Sequence, residues 1–344
     1  MQKPYIQHKG KVVETGGKFK HIMAITLDPQ THYKDGVIRC ITKREGDVEV
    51  KGYVDRSELY KIKGDSLERF ELGQKLKIKN EEEIINQLTS KGWDFIGLED
   101  PDIWIDAKTD LTHLYFTIPI IPKEKSKKEK SKIHLGHAVG RSLDSLEMTI
   151  PVLLDNGKFR AKELSVAPVN KKGFRFNLIE SKDRQTGTSY SIVQVAVAKD
   201  MGKPWEYGNI VFHPKDHNIP WIGGHASPGP LFSKNFIDIG DGKLLGIING
   251  REANKKVDNK IKYGMFSVGL FIYDYEKGKI DWVSPEPLIQ DSEAKTITFA
   301  SQFIETKLGE GVLYAHVDDS FVRAYTLKAE SIKSLLPSLV ASNL

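Results

Sequence analysis

The stretch Asp35-Gly-Val-Ile-Arg-Cys-Ile-Thr-Lys43 is a small turn followed by a strongly β-forming run, and the same pattern recurs along the chain. Four further copies follow: Thr112-His-Leu-Tyr-Phe-Thr-Ile118, Lys172-Gly-Phe-Arg-Phe-Asn-Leu-Ile-Glu180, Asp241-Gly-Lys-Leu-Leu-Gly-Ile-Ile-Asn249 and Gly309-Glu-Gly-Val-Leu-Tyr-Ala-His316. Successive copies start 60 to 77 residues apart, so that five of them nearly fill the 344 residues. A fixed period of this kind is typical of repeat architectures.

Each copy lies between two further short strands. A strand with a proline or small-residue kink precedes it, as in residues 22–29 and 164–169, and a strand that ends in a polar turn follows it, as in residues 195–200. Three or four strands per period, repeated five times, predict an all-β fold, a five-bladed β-propeller. A pair of β-sandwiches is the alternative, but it gives no reason for one spacing to recur five times.

The propeller prediction fixes the expected organisation of the chain. The inner strands of the blades are predicted to start near residues 22, 97, 164, 224 and 298, and residues 1–344 are expected to form a single domain. Residues 81–90 have apolar positions near helical spacing and predict one connecting helix. The last roughly 15 residues are predicted to form a C-terminal tail or a short helix that ends before Pro337.

The composition excludes several classes of protein. With 39% hydrophobic and 28% charged residues, the chain can bury a core and is not disordered. Cys40 is the sole cysteine, so the chain is not a disulfide scaffold. No run of about 18 apolar residues predicts a membrane span. The first residues lack the apolar core of a signal peptide, and a cytoplasmic location is therefore expected.

The charge balance is slightly positive, which favours an anionic partner. The formal net charge is +5, and much of the excess lies in the lysine-rich run of residues 123–132. Two glutamates interrupt this run, and it lacks the aromatic residues that interleave with basic ones where single-stranded nucleic acid binds. We therefore expect a solvated loop and no nucleic-acid partner.

Propeller geometry predicts where functional side chains meet. The inner strand of every blade lines the central channel, and one end of that channel forms a polar cup. Polar residues at the inner-strand kinks should converge there although they lie far apart in sequence: Asp28, Glu99, Asp100, Glu163, His225 and Ser301.

Four segments, in order, resemble glycoside hydrolase family 130, the β-mannoside phosphorylases and mannosidases. Gly97-Leu-Glu-Asp-Pro-Asp-Ile103 resembles the family signature Glu-Asp-Pro-Arg-Ile, and Gly223-Gly-His-Ala-Ser-Pro-Gly-Pro-Leu231 resembles its Gly-Ala-Gly-Pro-Pro-Pro segment. Tyr263-Gly-Met-Phe-Ser-Val-Gly-Leu-Phe-Ile-Tyr-Asp274 is similar to its late blade. Leu313-Tyr-Ala-His-Val-Asp-Asp-Ser-Phe-Val322 resembles its closing strand, Tyr-Tyr-Gly-Ala-Ala-Asp-Thr.

This resemblance implies an enzyme that cleaves a glycosidic bond of an oligosaccharide, such as a β-mannoside. It implies that Asp100 is the general acid and that Asp319 contacts the sugar. Two departures stand out, because Asp102 and Glu180 occupy positions where the family carries arginine. Carboxylates there should repel phosphate, which favours water over phosphate as the nucleophile and leaves a β-mannoside phosphorylase as an alternative.

The chemistry of glycosidic cleavage selects further candidates, because it usually needs two carboxyl groups. Asp100 is the first, and a general acid there requires a raised pKa. Glu180 is the second, since it ends an alternating strand that points it beyond the blade core. Glu252 is a third catalytic candidate, although the neighbouring Arg251 could equally be its ion-pair partner.

The remaining candidates would bind substrate. His225 lies between small residues where backbone approaches closely, and it either bonds a sugar hydroxyl or is a satisfied core histidine. Trp221 is a candidate platform for stacking a sugar ring. The full set of predicted substrate-binding residues is Asp28, Asp102, Trp221, His225, Arg251 and Asp319. No metal-ligand spacing and no nucleotide-binding loop occur, so no metal and no cofactor are predicted.

Two other functions stay open at this point. An arabinanase-like or fructosidase-like propeller would use acidic residues on the first three blades, here Asp28, Asp100 and Glu180. A catalytically inactive propeller would serve as a carbohydrate-binding module, since a fold does not imply an activity.

Overall fold

The computed structural model of the protein describes residues 3–50, 53–89, 92–124, 131–184, 190–258 and 260–337. Residues 125–130, the middle of the lysine-rich run, lie outside the described residues, as do residues 338–344. The described chain is almost entirely β-structure. Its α-helices are α1 (Glu81–Leu88), which matches the predicted connecting helix, and α2 (Ala329–Lys333), which lies where a short terminal helix was predicted.

Most strands pair into five groups, which we number in chain order. Group 1 contains β2 (Val13–Glu14), β3 (Ile22–Leu27), β4 (Asp35–Glu45), β5 (Val54–Ser66) and β6 (Arg69–Lys75). Group 2 contains β7 (Trp93–Phe95), β8 (Glu99–Asp106), β9 (Leu111–Pro122), β10 (Lys132–Gly140) and β11 (Glu147–Met148). Group 3 contains β12 (Lys162–Ser165), β13 (Arg175–Lys182), β14 (Ser191–Ala198) and β15 (Glu206–Phe212).

The last two groups complete the fold. Group 4 contains β16 (His225–Leu231), β17 (Lys243–Arg251), β20 (Phe266–Asp274) and β21 (Lys279–Val283), with the hairpin of β18 (Lys255–Val257) and β19 (Lys260–Lys262) inserted before β20. Group 5 contains β22 (Thr298–Lys307), β23 (Glu310–Val317) and β24 (Phe321–Lys328). The first strand, β1 (Tyr5–Gln7), pairs with β24, so the start of the chain completes the last group.

The apolar residues form a core between each group and the next. Val37 and Leu59 of group 1 pack with Phe116 of group 2, and matching clusters join groups 2 and 3, 3 and 4, and 4 and 5. A fifth cluster contains Ile38 of group 1 together with Tyr314 of group 5. The groups therefore close into a ring. The all-β propeller fold is confirmed, and this packing agrees with the predicted count of five blades, although that count and the single domain stay predictions.

The inner strands β3, β8, β12, β16 and β22 start within two residues of the predicted positions. Three of them carry a bulge at corresponding places. Ala24 in β3, Asp100 in β8 and Glu163 in β12 interrupt the pairing with the next strand, and each has a φ between 47° and 49°. A left-handed φ in a non-glycine residue is uncommon and clusters at functional sites. The bulges direct these residues away from the regular strand faces.

No helix among the described residues combines the length and the apolar composition that crossing a membrane requires. The cytoplasmic location stays a prediction.

Candidate active site

Side chains from all five groups line a pocket where the inner strands meet. The pocket has a volume of about 180 Å³. Its polar lining residues are Arg39, Tyr53, Asp100, Lys162, Glu163, His225, Arg251, Tyr263, Thr296, His316 and Asp319, and the apolar ones include Met23, Val48, Phe266 and Phe299. Residues that lie far apart in sequence therefore converge in one pocket, as the sequence predicted. Only some of the residues that meet there are the predicted ones.

Asp100 lies in this pocket between two cations. Its Oδ1 atom accepts a hydrogen bond from Arg39 Nη1 at 3.0 Å, and its Oδ2 atom lies 3.1 Å from Lys162 Nζ. Burial alone would raise the pKa of Asp100, but Lys162 and Arg39 hold that pKa below its ordinary value. The carboxyl group is ionised, which is the reverse of the raised pKa that a general acid at this position requires.

Glu163 is the neutral partner of Asp100. It lines the same pocket, and its carboxyl group is hydrogen-bonded to that of Asp100. Burial and the adjacent Asp100 carboxylate raise the pKa of Glu163 well above its ordinary value, and Lys162 offsets this effect only in part. Two carboxyl groups in contact cannot both ionise easily, so the pair holds one proton, and the environment places it on Glu163.

Polar side chains recur at one register position on the second strands. Arg39, Glu180, Arg251 and His316 pair with the inner-strand residues Met23, Lys162, His225 and Phe299, respectively. Each of the four side chains belongs to a strand of otherwise mostly buried residues. The strand register thus directs one polar group from each of four β-strand groups toward the same end of the channel.

Glu180 lies behind the pocket wall rather than in it. Its carboxyl group is 1% exposed, and it accepts hydrogen bonds from Arg160 Nη2 at 2.9 Å and from His225 Nε2 at 3.0 Å. Burial would raise the pKa of Glu180, but His225, Lys162 and Arg160 hold it well below its ordinary value. Glu180 is a buried anion that accepts hydrogen bonds from a guanidinium group and an imidazole ring. The predicted catalytic role requires it to line the pocket, and it does not.

Arg251 lines the pocket with its guanidinium group above two aromatic rings. Its Cζ atom is 4.2 Å from the Tyr263 ring centre and 5.2 Å from that of Phe266. Among the described residues no carboxylate lies within ion-pair distance of Arg251, so Glu252 is not its partner. The Nε atom is buried without a hydrogen-bond partner. Burial lowers the pKa of Arg251, but a guanidinium group stays charged at neutral pH.

Asp319 lines the pocket on the group 5 side. Its carboxylate lies 3.1 Å from His316 Nε2 and accepts a hydrogen bond from the Tyr53 hydroxyl at 3.1 Å. Burial would raise the pKa of Asp319, but the hydrogen bond with His316 and the nearby arginines keep it below its ordinary value. Asp319 is therefore an ionised hydrogen-bond acceptor whose side-chain oxygens already have donors.

Two loops from different groups meet above the pocket. The backbone N–H of Tyr263, just after β19, donates a hydrogen bond to the Glu49 carbonyl at 3.2 Å, and Val50 pairs with Lys262. The Tyr53 and Tyr263 rings stand edge to face, 6.4 Å apart. The contact between these loops places both phenol groups on the wall of the pocket.

Two predicted substrate-binding residues lie outside this pocket. Asp28 is buried at the other end of β3, where its carboxylate caps a 3₁₀ turn by accepting a hydrogen bond from Gln30 N at 2.9 Å. Trp221 is 7% exposed, and its indole N–H donates to the Ser284 carbonyl at 3.0 Å. Its ring packs against Gly250 and Gly269, where a Cβ atom would lie 2.4 Å from ring carbons. Trp221 is thus part of the core rather than an accessible sugar platform.

Glu252 and Asp102 also lie apart from the pocket lining. The half-exposed Glu252 side chain pairs with Lys255 at 3.1 Å on the surface. Asp102 follows the β8 bulge, pairs in register with Tyr115, and has its pKa raised by burial to about 7. The sequence predicted that the carboxylates of Asp102 and Glu180 would repel phosphate, but neither residue lines the pocket. Its charged lining consists of Arg39, Lys162 and Arg251 together with the carboxyl groups of Asp100, Glu163 and Asp319.

Several pocket residues escaped the sequence-based choice of candidates, namely Arg39, Tyr53, Lys162, Tyr263 and His316. Arg39 could have been selected from the sequence, because it is a charged residue inside the apolar run of β4. Glu163 was included among the converging kink residues but not among the catalytic candidates. Among the described residues no group of three or more His, Cys, Asp or Glu side chains is arranged to hold a metal ion.

Comparisons with known proteins support the fold. No family model matches the chain, and no curated protein matches it. The structure is similar to β-1,2-mannobiose phosphorylase from Listeria innocua, with a TM-score of 0.61, 10% identity and 92% of each chain covered. The chain has the β-propeller fold of that enzyme. A mannose phosphorylase from Leishmania mexicana gives a TM-score of 0.53 at 13% identity, covering 96% of this chain and 91% of that one.

An endo-arabinase from Bacteroides thetaiotaomicron is similar as well, with a TM-score of 0.54, 15% identity, and 93% of this chain and 97% of that one covered. The likeness to all three proteins extends over at least nine-tenths of the chain. At the level of the fold, it confirms the resemblance to propeller enzymes that act on sugars.

Proposed function

We propose that the protein is an enzyme that cleaves a glycosidic bond of an oligosaccharide, with Glu163 as the proton donor. The observation that carries this proposal is the carboxyl pair of Glu163 and Asp100 in the central pocket. A β-mannoside is the first substrate class to test, because two of the proteins of similar fold are named for mannobiose and mannose phosphorolysis.

Glu163 has the two properties that a general acid needs. Its pKa is raised well above the ordinary value, so the carboxyl group carries a proton at neutral pH. It also lines the pocket, where a glycosidic oxygen could accept that proton. Asp100, ionised between Arg39 and Lys162, keeps the proton on Glu163 until the leaving oxygen accepts it. The resemblance assigned this role to Asp100 itself, and the proposal moves it to the neighbouring carboxyl group.

Hydrolysis is the first candidate reaction. Arg39 is already paired with Glu99 and Asp100, and Lys162 is paired with Asp100 and Glu163. Both cations already bond to the ionised Asp100 and Arg39 also to Glu99, so few of their N–H groups are left for phosphate, which binding sites usually hold with several charge-assisted hydrogen bonds. Water needs no such partners.

Phosphorolysis is the second candidate, and Arg251 is the observation that favours it. Arg251 is a buried guanidinium group on the pocket wall without a carboxylate partner among the described residues. Such a group could receive an anionic reactant. The arabinanase-like alternative loses support because Asp28 is remote, and the bulge position of β3 holds Ala24, which carries no carboxyl group.

The test is an assay of manno-oligosaccharides and aryl glycosides with and without inorganic phosphate. Free reducing sugar in phosphate-free buffer supports hydrolysis, whereas sugar 1-phosphate that forms only with phosphate supports phosphorolysis. Loss of either activity in Glu163→Gln supports the proton donor. If the protein binds oligosaccharides but cleaves none of them, the enzyme proposal is wrong and the carbohydrate-binding alternative takes its place.

A further inference from the structure

The environment of His225 is unlike that of the other groups in the pocket. His225 begins β16 and lines the pocket, and its Nε2 atom lies 3.0 Å from Glu180 Oε2. The imidazole ring also packs edge to face against Phe266, with 4.9 Å between the ring centres and 71° between the ring planes. Glu180 is itself fixed by Arg160. The imidazole ring is therefore oriented by contacts on two sides.

The protonation of these groups determines which nitrogen of His225 is an acceptor. The pKa of Glu180 lies well below its ordinary value, and an ionised carboxylate can only accept hydrogen bonds, so Nε2 must carry a proton. Burial lowers the pKa of His225, and the positive charges of Arg251 and Lys162 lower it further, whereas Glu180 raises it. These three residues are the charged groups near the ring. The ring is neutral at pH 7, and its Nδ1 atom has an unprotonated lone pair.

The other imidazole ring and the ionised carboxylates of the described pocket are already engaged. His316 uses both nitrogens, because Nδ1 accepts from the Ala24 N–H and Nε2 contacts Asp319. The carboxylates of Asp100 and Asp319 lie among cations and hydrogen-bond donors that lower their basicity. His225 has one nitrogen bonded to Glu180 and a second that none of the described residues occupies.

We infer that His225 is the general base that deprotonates the attacking water, and that Glu180 is the positioning residue that fixes the tautomer and orientation of its ring. This inference rests on the proposed function, in its hydrolytic form. A buried carboxylate bonded to one imidazole nitrogen leaves the other nitrogen poised as a base, and the arrangement occurs on unrelated folds. It would supply the second catalytic group without requiring a second carboxylate to act as the base.

The proposed step balances in atoms and charge. The water oxygen forms a bond to the anomeric carbon while the bond from that carbon to the leaving oxygen breaks. One water proton passes to His225 Nδ1, and the Glu163 proton passes to the leaving oxygen. The resulting imidazolium and carboxylate then return to their starting states by exchanging one proton through solvent.

The first test compares the pH profiles of variants on a glycoside that the wild type hydrolyses. His225→Gln is expected to lower kcat by about 100-fold or more with a smaller change in KM, the range typical of a lost general base. Glu180→Gln is expected to lower kcat about tenfold or more. Because Glu180 raises the pKa of His225, its loss should also move the acid limb of the kcat profile to lower pH.

Asp155→Asn is the matched control, because Asp155 is a buried carboxylate paired with Arg184 at 2.8 Å away from the pocket. It should lose stability as Glu180→Gln does while kcat and the acid limb stay unchanged. If His225→Gln retains the wild-type kcat, or Glu180→Gln leaves the acid limb in place, the inference is overturned while the proposed function stands. If the wild type cleaves no glycoside, both are overturned.

The second test reads the tautomer directly by 15N NMR of histidine-labelled protein at pH 7. The His225 signals, assigned with His225→Gln, should show a protonated Nε2 and an unprotonated Nδ1 in the wild type. In Glu180→Gln this preference should weaken, because an amide can donate as well as accept. A proton on Nδ1 in the wild type would overturn the inference independently of any activity measurement.

Discussion

The Nζ atom of Lys162 lies 3.1 Å from Oδ2 of Asp100, while the residue next to Lys162 in sequence, Glu163, has a pKa well above its ordinary value. Lys162 and Arg39 stabilise the ionised form of Asp100, and the resulting negative charge disfavours ionisation of Glu163. Two chemically similar groups thus acquire opposite protonation states from their surroundings. This division is the basis on which we assign the roles of the pocket carboxyl groups.

Replacing Lys162 by methionine should change both the pH profile and the stability. Lys162 lowers the pKa of Asp100 and of Glu163, so its loss should raise both and move the kcat/KM profile to higher pH. Removing one partner of a buried ion pair typically costs about 3–5 kcal/mol of unfolding free energy. The measurements are a pH–rate profile and urea denaturation.

The control for Lys162→Met is Lys75→Met, because Lys75 forms an exposed pair with Glu58 at 2.8 Å. An exposed pair contributes about 0–1 kcal/mol, so this variant should keep the wild-type profile and nearly the wild-type stability. A Lys162→Met profile that coincides with that of the wild type would show that Lys162 does not set the protonation of the pair.

Replacing Trp221 by phenylalanine should lower stability rather than sugar binding. The change removes the hydrogen bond to the Ser284 carbonyl and leaves a cavity beside Gly250 and Gly269. We expect a loss of about 2–4 kcal/mol in the free energy of unfolding and an unchanged KM for the folded fraction. A raised KM with unchanged stability would instead support the predicted stacking platform.

His137 should make the protein less stable in acid. It is fully buried, bonded to His113 at 2.9 Å and to Thr149 at 2.8 Å, and burial lowers its pKa to about 3. Above pH 6.5 both folded and unfolded forms hold it neutral. Between pH 6.5 and about 3 only the unfolded form binds the proton, so stability falls by up to about 1.4 kcal/mol per pH unit.

His137→Gln provides the comparison for this effect. It should be less stable than the wild type at pH 7.5, and its free energy of unfolding should fall less steeply between pH 6 and pH 4. His134, whose pKa burial lowers to about 4, remains in both proteins, so the difference in slope isolates His137. Urea denaturation at several pH values measures it, and equal slopes would contradict the assignment.

The architecture was accessible from the sequence because strand patterns are local. A turn followed by a β-forming run predicts a strand from local sequence alone. The regular spacing of the five copies then predicts that the strands form a ring of blades. The kink in each inner strand was also visible, and two of the kink residues, Asp100 and Glu163, lie at bulges in the pocket. Their placement follows from strand order alone.

The division of roles within the site was not accessible, because it depends on contacts between distant segments. Strand order predicts that Glu163 and Asp100 converge, but nothing near Glu163 in sequence indicates that the pKa values of the two carboxyl groups shift in opposite directions. Asp28 and Glu180 carry the same functional group as these residues, but one caps a turn and the other is buried behind the wall. Burial likewise distinguishes Trp221, whose ring packs in the core although the sequence made it a candidate sugar platform.

The most direct test of the central claim, that Glu163 protonates the leaving oxygen, compares two substrates with Glu163→Gln. A dinitrophenyl glycoside has a leaving group that needs little protonation, whereas the leaving alcohol of an oligosaccharide needs it fully. The account predicts that kcat/KM of the variant falls by about 100-fold or more on the oligosaccharide and only a few-fold on the dinitrophenyl glycoside. Equal losses on both substrates, or full activity on the oligosaccharide, would contradict it.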